Sequence, residues 1–184
     1  KPVAAGRENG RWMDVDLLIA ASTVSAPNKL VNPYALIPPL APHIAATQTN
    51  IEIDLAVIQQ SHAELQKKAE FIIVEGTGGF LVPLNDKNDG ADMARILNLP
   101  VILVVGLRLG CLNHALLTAQ AVQANGLHLA GWVANAIGLP MPAQKENIQA
   151  LEERLNCPLL GVIPFVTNMD PKNVAKQLDI GKLM

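Results

Sequence analysis

Two short, uninterrupted apolar runs, Phe-Ile-Ile-Val at 71–74 and Val-Ile-Leu-Val-Val at 101–105, limit what this chain can fold into. Consecutive apolar residues rich in β-branched types read as strands covered on both faces, the pattern of a parallel sheet. Parallel strands need crossover connections, and the intervening sequence supplies them. The spacing of Ile51, Leu55, Ile58, Leu65 and Ala69, with His62 between, predicts a helix facing a sheet, started by a capping box at Thr49 and Glu52. A short helix is predicted over 91–97. Another follows over 112–125, with Leu112, Ala115, Leu116, Ala119 and Val122 on its inner face and Asn125-Gly126 as its stop. Strands over 127–137 and 159–165 flank a helix over 142–155. This alternation predicts an α/β fold with a doubly wound, mostly parallel sheet.

Earlier in the chain, residues 1–5 read as the tail of a strand closed by Gly6. The stretch from Asp14 to Ser22 reads as a helix, and 25–42, with five of the 13 prolines, as an extended connection with little regular structure. The 184 residues carry no internal repeat and suffice for one domain, 1–184.

Charge excludes several functions. Lys and Arg number 14 against 16 Asp and Glu, with no basic cluster, so nothing marks a nucleic-acid surface. Charged residues are only 16% of the chain, below the roughly one quarter usual for soluble domains, which a large buried interface would explain. No apolar run approaches the ~18 residues of a membrane span. Cys111 and Cys157 stand apart without metal-ligand spacing, as two free thiols in a reducing cytoplasm would.

Candidate chemistry gathers after the first apolar run. Glu75 stands where that strand should end, followed by Gly76, Thr77, Gly78 and Gly79. In open α/β sheets ligands collect beyond the carboxyl ends of strands, so this carboxylate and its glycines suggest a metal ion and a closely approaching ligand; a tight turn is the other reading. Asp14 and Asp16 open a helix, where they favour the dipole or hold a cation. His43, beside a proline, reads as structural. Asn113 reads as a helix cap.

Several stretches together resemble the dethiobiotin synthetase family. They are Lys-Pro-Val-Ala-Ala-Gly at 1–6, Asn-Pro-Tyr at 32–34, Ala-Pro-His-Ile-Ala-Ala at 41–46, Val-Glu-Gly-Thr-Gly-Gly at 74–79 and Leu-Pro-Val-Ile-Leu-Val-Val-Gly at 99–106. Further along come Leu-Gly-Cys-Leu-Asn-His-Ala-Leu-Leu-Thr at 109–118, Ala-Gly-Trp-Val-Ala-Asn at 130–135 and Leu-Leu-Gly-Val-Ile-Pro at 159–164. The resemblance covers essentially the whole chain in order. It implies a three-layer fold of the P-loop NTPase type and Mg-ATP-dependent closure of 7,8-diaminopelargonate with carbon dioxide to dethiobiotin. It also implies a cytoplasmic homodimer with its substrate site at the interface.

By the same resemblance, Lys1 neutralises the carbamate and the transferred phosphate. Asp16, or less favourably Asp14, holds magnesium with Glu75. Gly76, Thr77 and Gly78 meet the nucleotide, and Gly78 and Gly79 the diamine. Gly110, Cys111 and Asn113 receive the substrate carboxylate across the dimer. Asn135 recognises adenine, with Pro164, Phe165 and Val166 lining the base. Ala5 stands where the family tends to carry a hydroxyl.

The family opens with a strand and a Gly-Thr-Asp-Thr-x-x-Gly-Lys-Thr phosphate loop, neither of which occurs in these 184 residues. The expectation is that they precede Lys1 in a longer enzyme and that the missing strand lies between the 71–74 and 101–105 strands. Two other readings remain: a non-catalytic binding module, and a related P-loop amidoligase.

Overall fold

The computed structural model describes residues 1–139, 141–167 and 170–183. Two compact units divide the chain, 1–98 and 99–184.

In the first unit, β1 (Val3–Ala5) pairs in parallel with β2 (Tyr34–Leu36), Val3 opposite Tyr34 and Ala5 opposite Leu36. Between them run α1 (Met13–Ala21) and the single turn α2 (Asn28–Val31). The proline-rich connection therefore carries a helical turn and a strand, contrary to expectation. Its prolines fall where they do no harm, Pro27 at the cap of α2 and Pro33 just before β2. Gly6 leaves β1 at φ +94°, and a Cβ there would stand 3.3 Å from Pro39 Cβ, so the turn requires glycine.

Next come α3 (Pro42–Gln48), which takes in His43, and α4 (Leu55–Gln66), which buries Leu55, Ile58, Ser61 and His62. The predicted capping box is not the start of α4. Thr49 ends α3 instead, and the N-cap is Asp54, whose carboxylate accepts from the Ala56 amide at 2.8 Å. Helix α5 (Gly90–Leu97) starts with a reciprocal cap: Asp89 Oδ1 accepts from the Asp92 amide, and Asp92 Oδ2 from the Asp89 amide.

The run at 71–74 is not a strand. Among the described residues, no backbone-to-backbone hydrogen bond reaches any residue from 70 to 78, and Phe71 and Ile73 are 86% and 85% exposed. Apolar composition makes a strand only when a neighbour completes the ladder.

The second unit is a parallel sheet in the order β3–β4–β5, built from β3 (Val101–Leu107), β4 (Leu129–Ala136) and β5 (Leu159–Ile163). Helix α6 (Cys111–Ala124) connects β3 to β4, and α7 (Gln144–Glu152) connects β4 to β5. After β5 come a short α8 (Pro171–Ala175) and a closing 3-10 turn (Ile180–Leu183), neither foreseen from the sequence. Trp132 is the largest fully buried side chain of the core. Strand β3 lies at the edge of its sheet, and Ile102 and Val104 are 42% and 60% exposed, so the expectation of complete burial fails on one face. These parallel strands joined by helices are the α/β architecture expected. No described helix is long and apolar enough to cross a membrane.

Candidate active site

The site in the first unit is assembled on Lys1. Its backbone is fixed first: Asn32 Nδ2 donates to Lys1 O at 2.7 Å, and the Tyr34 amide donates to Pro2 O, extending the β1–β2 ladder to the start of the chain. From this base the side chain reaches its partners while remaining only 8% exposed. Lys1 Nζ donates to Glu75 Oε1 at 2.5 Å and to Gly76 O at 2.9 Å, and Asp14 Oδ2 lies 3.1 Å away. An ammonium has three N–H groups, and three acceptors surround this one.

Asp14 arrives through an indirect tether. Trp12, at the N-cap of α1, donates its indole Nε1 to Leu36 O at 2.9 Å, fastening the helix start to the end of β2. Arg7 stacks over the same indole, 5.2 Å from the ring centroid. Asp16, two residues further on, points elsewhere, accepting from Arg11 Nε at 2.6 Å. Sequence reasoning favoured Asp16 over Asp14 as the partner of Glu75. The structure brings Asp14 to Glu75 and Lys1, and leaves Asp16 with a guanidinium that is 68% exposed.

Two carboxylates against one ammonium leave the cluster with net negative charge. Such a set of hard oxygens suits a divalent cation of the magnesium type, which usually takes one or two carboxylates and completes its shell with water and phosphate oxygens. Among the described residues no group of three or more His, Cys, Asp or Glu converges as a self-sufficient metal cage. The protein part therefore fits a shared site better than a closed one.

The glycines after Glu75 differ in kind. Gly78 has φ +68°, and a Cβ there would lie 3.1 Å from Val82 Cγ2, so the fold itself requires glycine. At Gly76 and Gly79 a Cβ would meet nothing within 4 Å. Packing does not account for those two, and open space beside a carboxylate is what a closely approaching ligand needs. Thr77 between them is half-buried.

In the second unit, register gathers another predicted set. Asn135, next to last in β4, stands between Gly106 of β3 and Ile163 of β5, and Pro164, Phe165 and Val166 follow Ile163 directly. Phe165 and Val166 are 50% and 43% exposed, an apolar surface beside an amide at the carboxyl ends of parallel strands. At the start of α6, Gly110 takes the N-cap position at φ +93°. Cys111 is buried and its amide donates to Arg108 O at 2.9 Å. Asn113 is exposed in the first turn and caps nothing. Among the described residues the amides of Leu112 and Asn113 have no backbone acceptor, so the helix start keeps two donors for an anion.

Asn32, Trp12 and Arg11 contribute to the geometry without having been assigned a role from sequence. Asn32 stood inside a recognised stretch; nothing in sequence spacing linked Trp12 to a carbonyl 24 residues away.

Comparisons with known proteins agree along the whole chain. A family model described as an AAA domain matches residues 1–173. An ATP-dependent dethiobiotin synthetase BioD of Nitrosospira multiformis is 59% identical over 183 residues, covering 100% of this chain and 81% of that protein. Proteins of the same name from Aromatoleum aromaticum and a Janthinobacterium species are 52% and 47% identical, covering 97% and 100% of this chain and 81% of each relative. With three such relatives matched across nearly all of its length, and with parallel sheets flanked by helices, the chain belongs to the dethiobiotin synthetase family and to the P-loop NTPase type of α/β fold.

Proposed function

We propose that the protein is an ATP-dependent ligase of biotin biosynthesis, closing the ureido ring of dethiobiotin from 7,8-diaminopelargonate and carbon dioxide with release of ADP and phosphate. The observation that carries the reading is the Lys1 ammonium, 8% exposed and held among Glu75, Asp14 and the Gly76 carbonyl beside open glycine backbone.

Each step of such a reaction develops anionic charge. One amine of the substrate takes up carbon dioxide as a carbamate, a phosphoryl group moves from ATP to the carbamate oxygen, and the second amine displaces phosphate as the ring closes. An ammonium already in place costs no reorganisation when that charge appears. Lys1 is the group that would bind the carbamate and then the phosphoryl oxygens, with the backbone of residues 76–79 lying against the ligand. Magnesium would be held through Glu75 and Asp14, which both contact Lys1 Nζ, rather than through Asp16, which pairs with Arg11, and would supply neutralisation of the phosphate charge. In the second unit, Asn135 with Pro164, Phe165 and Val166 would take the adenine. The Gly110–Asn113 turn, with Cys111 buried inside it, would take the substrate carboxylate in a homodimer. Both units belong, on this reading, to one catalytic domain, and its working compartment is the cytoplasm.

The test is ADP and phosphate release by the full-length protein. Release should require the diamine, bicarbonate and magnesium together, and the product should have the mass of dethiobiotin. Turnover indifferent to the diamine would overturn the reading in favour of a related amidoligase. Diamine binding by calorimetry without any turnover would favour a binding module.

A further inference from the structure

We propose that Val174 and Leu178 are positioning residues for the base-lining residues 164–166, holding them through a closing segment, 170–183, that docks along the outer edge of β5. The proposal rests on the ligase reading for what residues 164–166 bind, and on the geometry alone for the docking.

Strand β5 pairs with β4 on one side and, among the described residues, with no strand on the other, so its outer edge offers backbone groups to a new partner. The closing segment takes them up. The Asp179 amide donates to Leu160 O at 2.7 Å, Lys182 Nζ donates to Leu159 O at 2.9 Å, and Leu178 forms an antiparallel bridge with Gly161. Gly161 is what admits the segment. Its φ lies outside the left-handed region, so its own backbone does not demand glycine. A Cβ there would collide with Gln177 O, and would stand 3.0 Å from the Gln177 carbonyl carbon and 3.2 Å from Leu178 Cδ2. Glycine inside a strand often marks the close approach of another backbone, and here that backbone is 177–178. With the segment docked, Val174 and Leu178 pack on Val133, Leu160 and Ile163. Two of those three stand beside the proposed base site. Ile163 lies opposite Asn135 in register and immediately precedes Pro164, and Val133 shares a face of β4 with Asn135, two residues on. Among the described residues no backbone-to-backbone hydrogen bond reaches 164–166. Their place is therefore set by what holds Ile163, and the closing segment is packed against it.

The experiment measures ATP and CTP binding by calorimetry in the unaltered full-length protein and in Leu178→Ala, Leu178→Met and Gly161→Ala, alongside amide hydrogen exchange at 170–183. Leu178→Ala should weaken ATP binding by about tenfold and lower the preference for ATP over CTP by a similar factor, the scale of a small misplacement of binding groups. Leu178→Met, which keeps the bulk of the side chain, should stay within about twofold. The Asp179 amide should exchange about tenfold faster in Leu178→Ala and in Gly161→Ala, because both loosen the segment that carries it. Where Gly161→Ala fails to fold, Leu178→Ala, which trims only a half-buried side chain, decides the comparison. Unchanged exchange overturns the docking. Faster exchange with unaltered ATP affinity, or with ATP and CTP weakened equally, overturns the positioning role. If the unaltered protein binds ATP without diamine-dependent turnover, the ligase reading fails while the base preference still decides the proposal; if it binds no ATP, both fall.

Discussion

The runs at 71–74 and 101–105 are nearly interchangeable as strings of letters, yet they come to opposite ends. Residues 101–105 lie in β3, bonded along β4 from Leu129 onward. Residues 71–74 have no ladder, and the segment they begin is held at its far end by one side-chain cation, through Glu75 and Gly76. A strand contributes stability through many repeated backbone bonds that no single substitution removes. The contrast places stability in the ladder of the second unit, while along 71–74 no partner strand lies among the described residues.

The contrast is tested most severely at Trp132, fully buried in β4 and opposite Leu103. Trp132→Ala should cost about 3–5 kcal/mol in denaturant unfolding. Trp132→Phe should cost much less, since among the described residues the indole Nε1 has no partner to lose. Phe71→Ala, removing a ring 86% exposed, should stay within about 0.5 kcal/mol; a cost as large as that at Trp132 would erase the distinction. A second measurement is amide hydrogen exchange on the 184-residue chain. Amides at 71–74 should exchange about 100-fold faster than those at 101–105, and equal protection would mean that 71–74 has found a strand partner.

The smallest effect concerns His62, buried on α4 with Nε2 unpartnered among the described residues, in a cavity of about 370 Å³ also lined by Ser61, Ile58, Leu65 and Lys68. Burial pushes its pKa below the ordinary histidine value. The folded state therefore prefers the neutral ring, and the unfolded chain takes up the proton first. Stability should be full above the unfolded value of about 6.5 and decline as pH falls from there toward the lower folded value. His62→Phe should flatten that slope in melting curves followed from pH 7.5 to 5.5.

Periodicity revealed the helices because burying one face leaves a mark every three or four residues; α5 and α6 begin within one residue of expectation and end within one. Exact starts were less legible. Thr49 with Glu52 and Asp54 alone are both good openings, and the choice fell to Asp54 because Thr49 was already ending α3. Ladder partners left no mark at all, which is why 71–74 and 101–105 looked alike. In the candidate site, Lys1, Glu75 and the glycines could be singled out by motif. The choice between Asp14 and Asp16 could not, since both lie in the first turn of one helix and only the tether from Trp12 to Leu36 sets which faces the lysine.

The glycine turn after Glu75 also has a history in time. Downstream it is tied to close neighbours: Val82 donates to Gly79 O, Gly90 to Val82 O, and Asp89 with Asp92 closes the cap of α5. These loops span roughly a dozen residues and form at little entropic cost. Upstream, the Lys1–Glu75 contact joins groups 74 residues apart, and must wait until β1, β2 and α1 have come together. On sequence separation alone, the turn should form early and the lysine contact should close the site last.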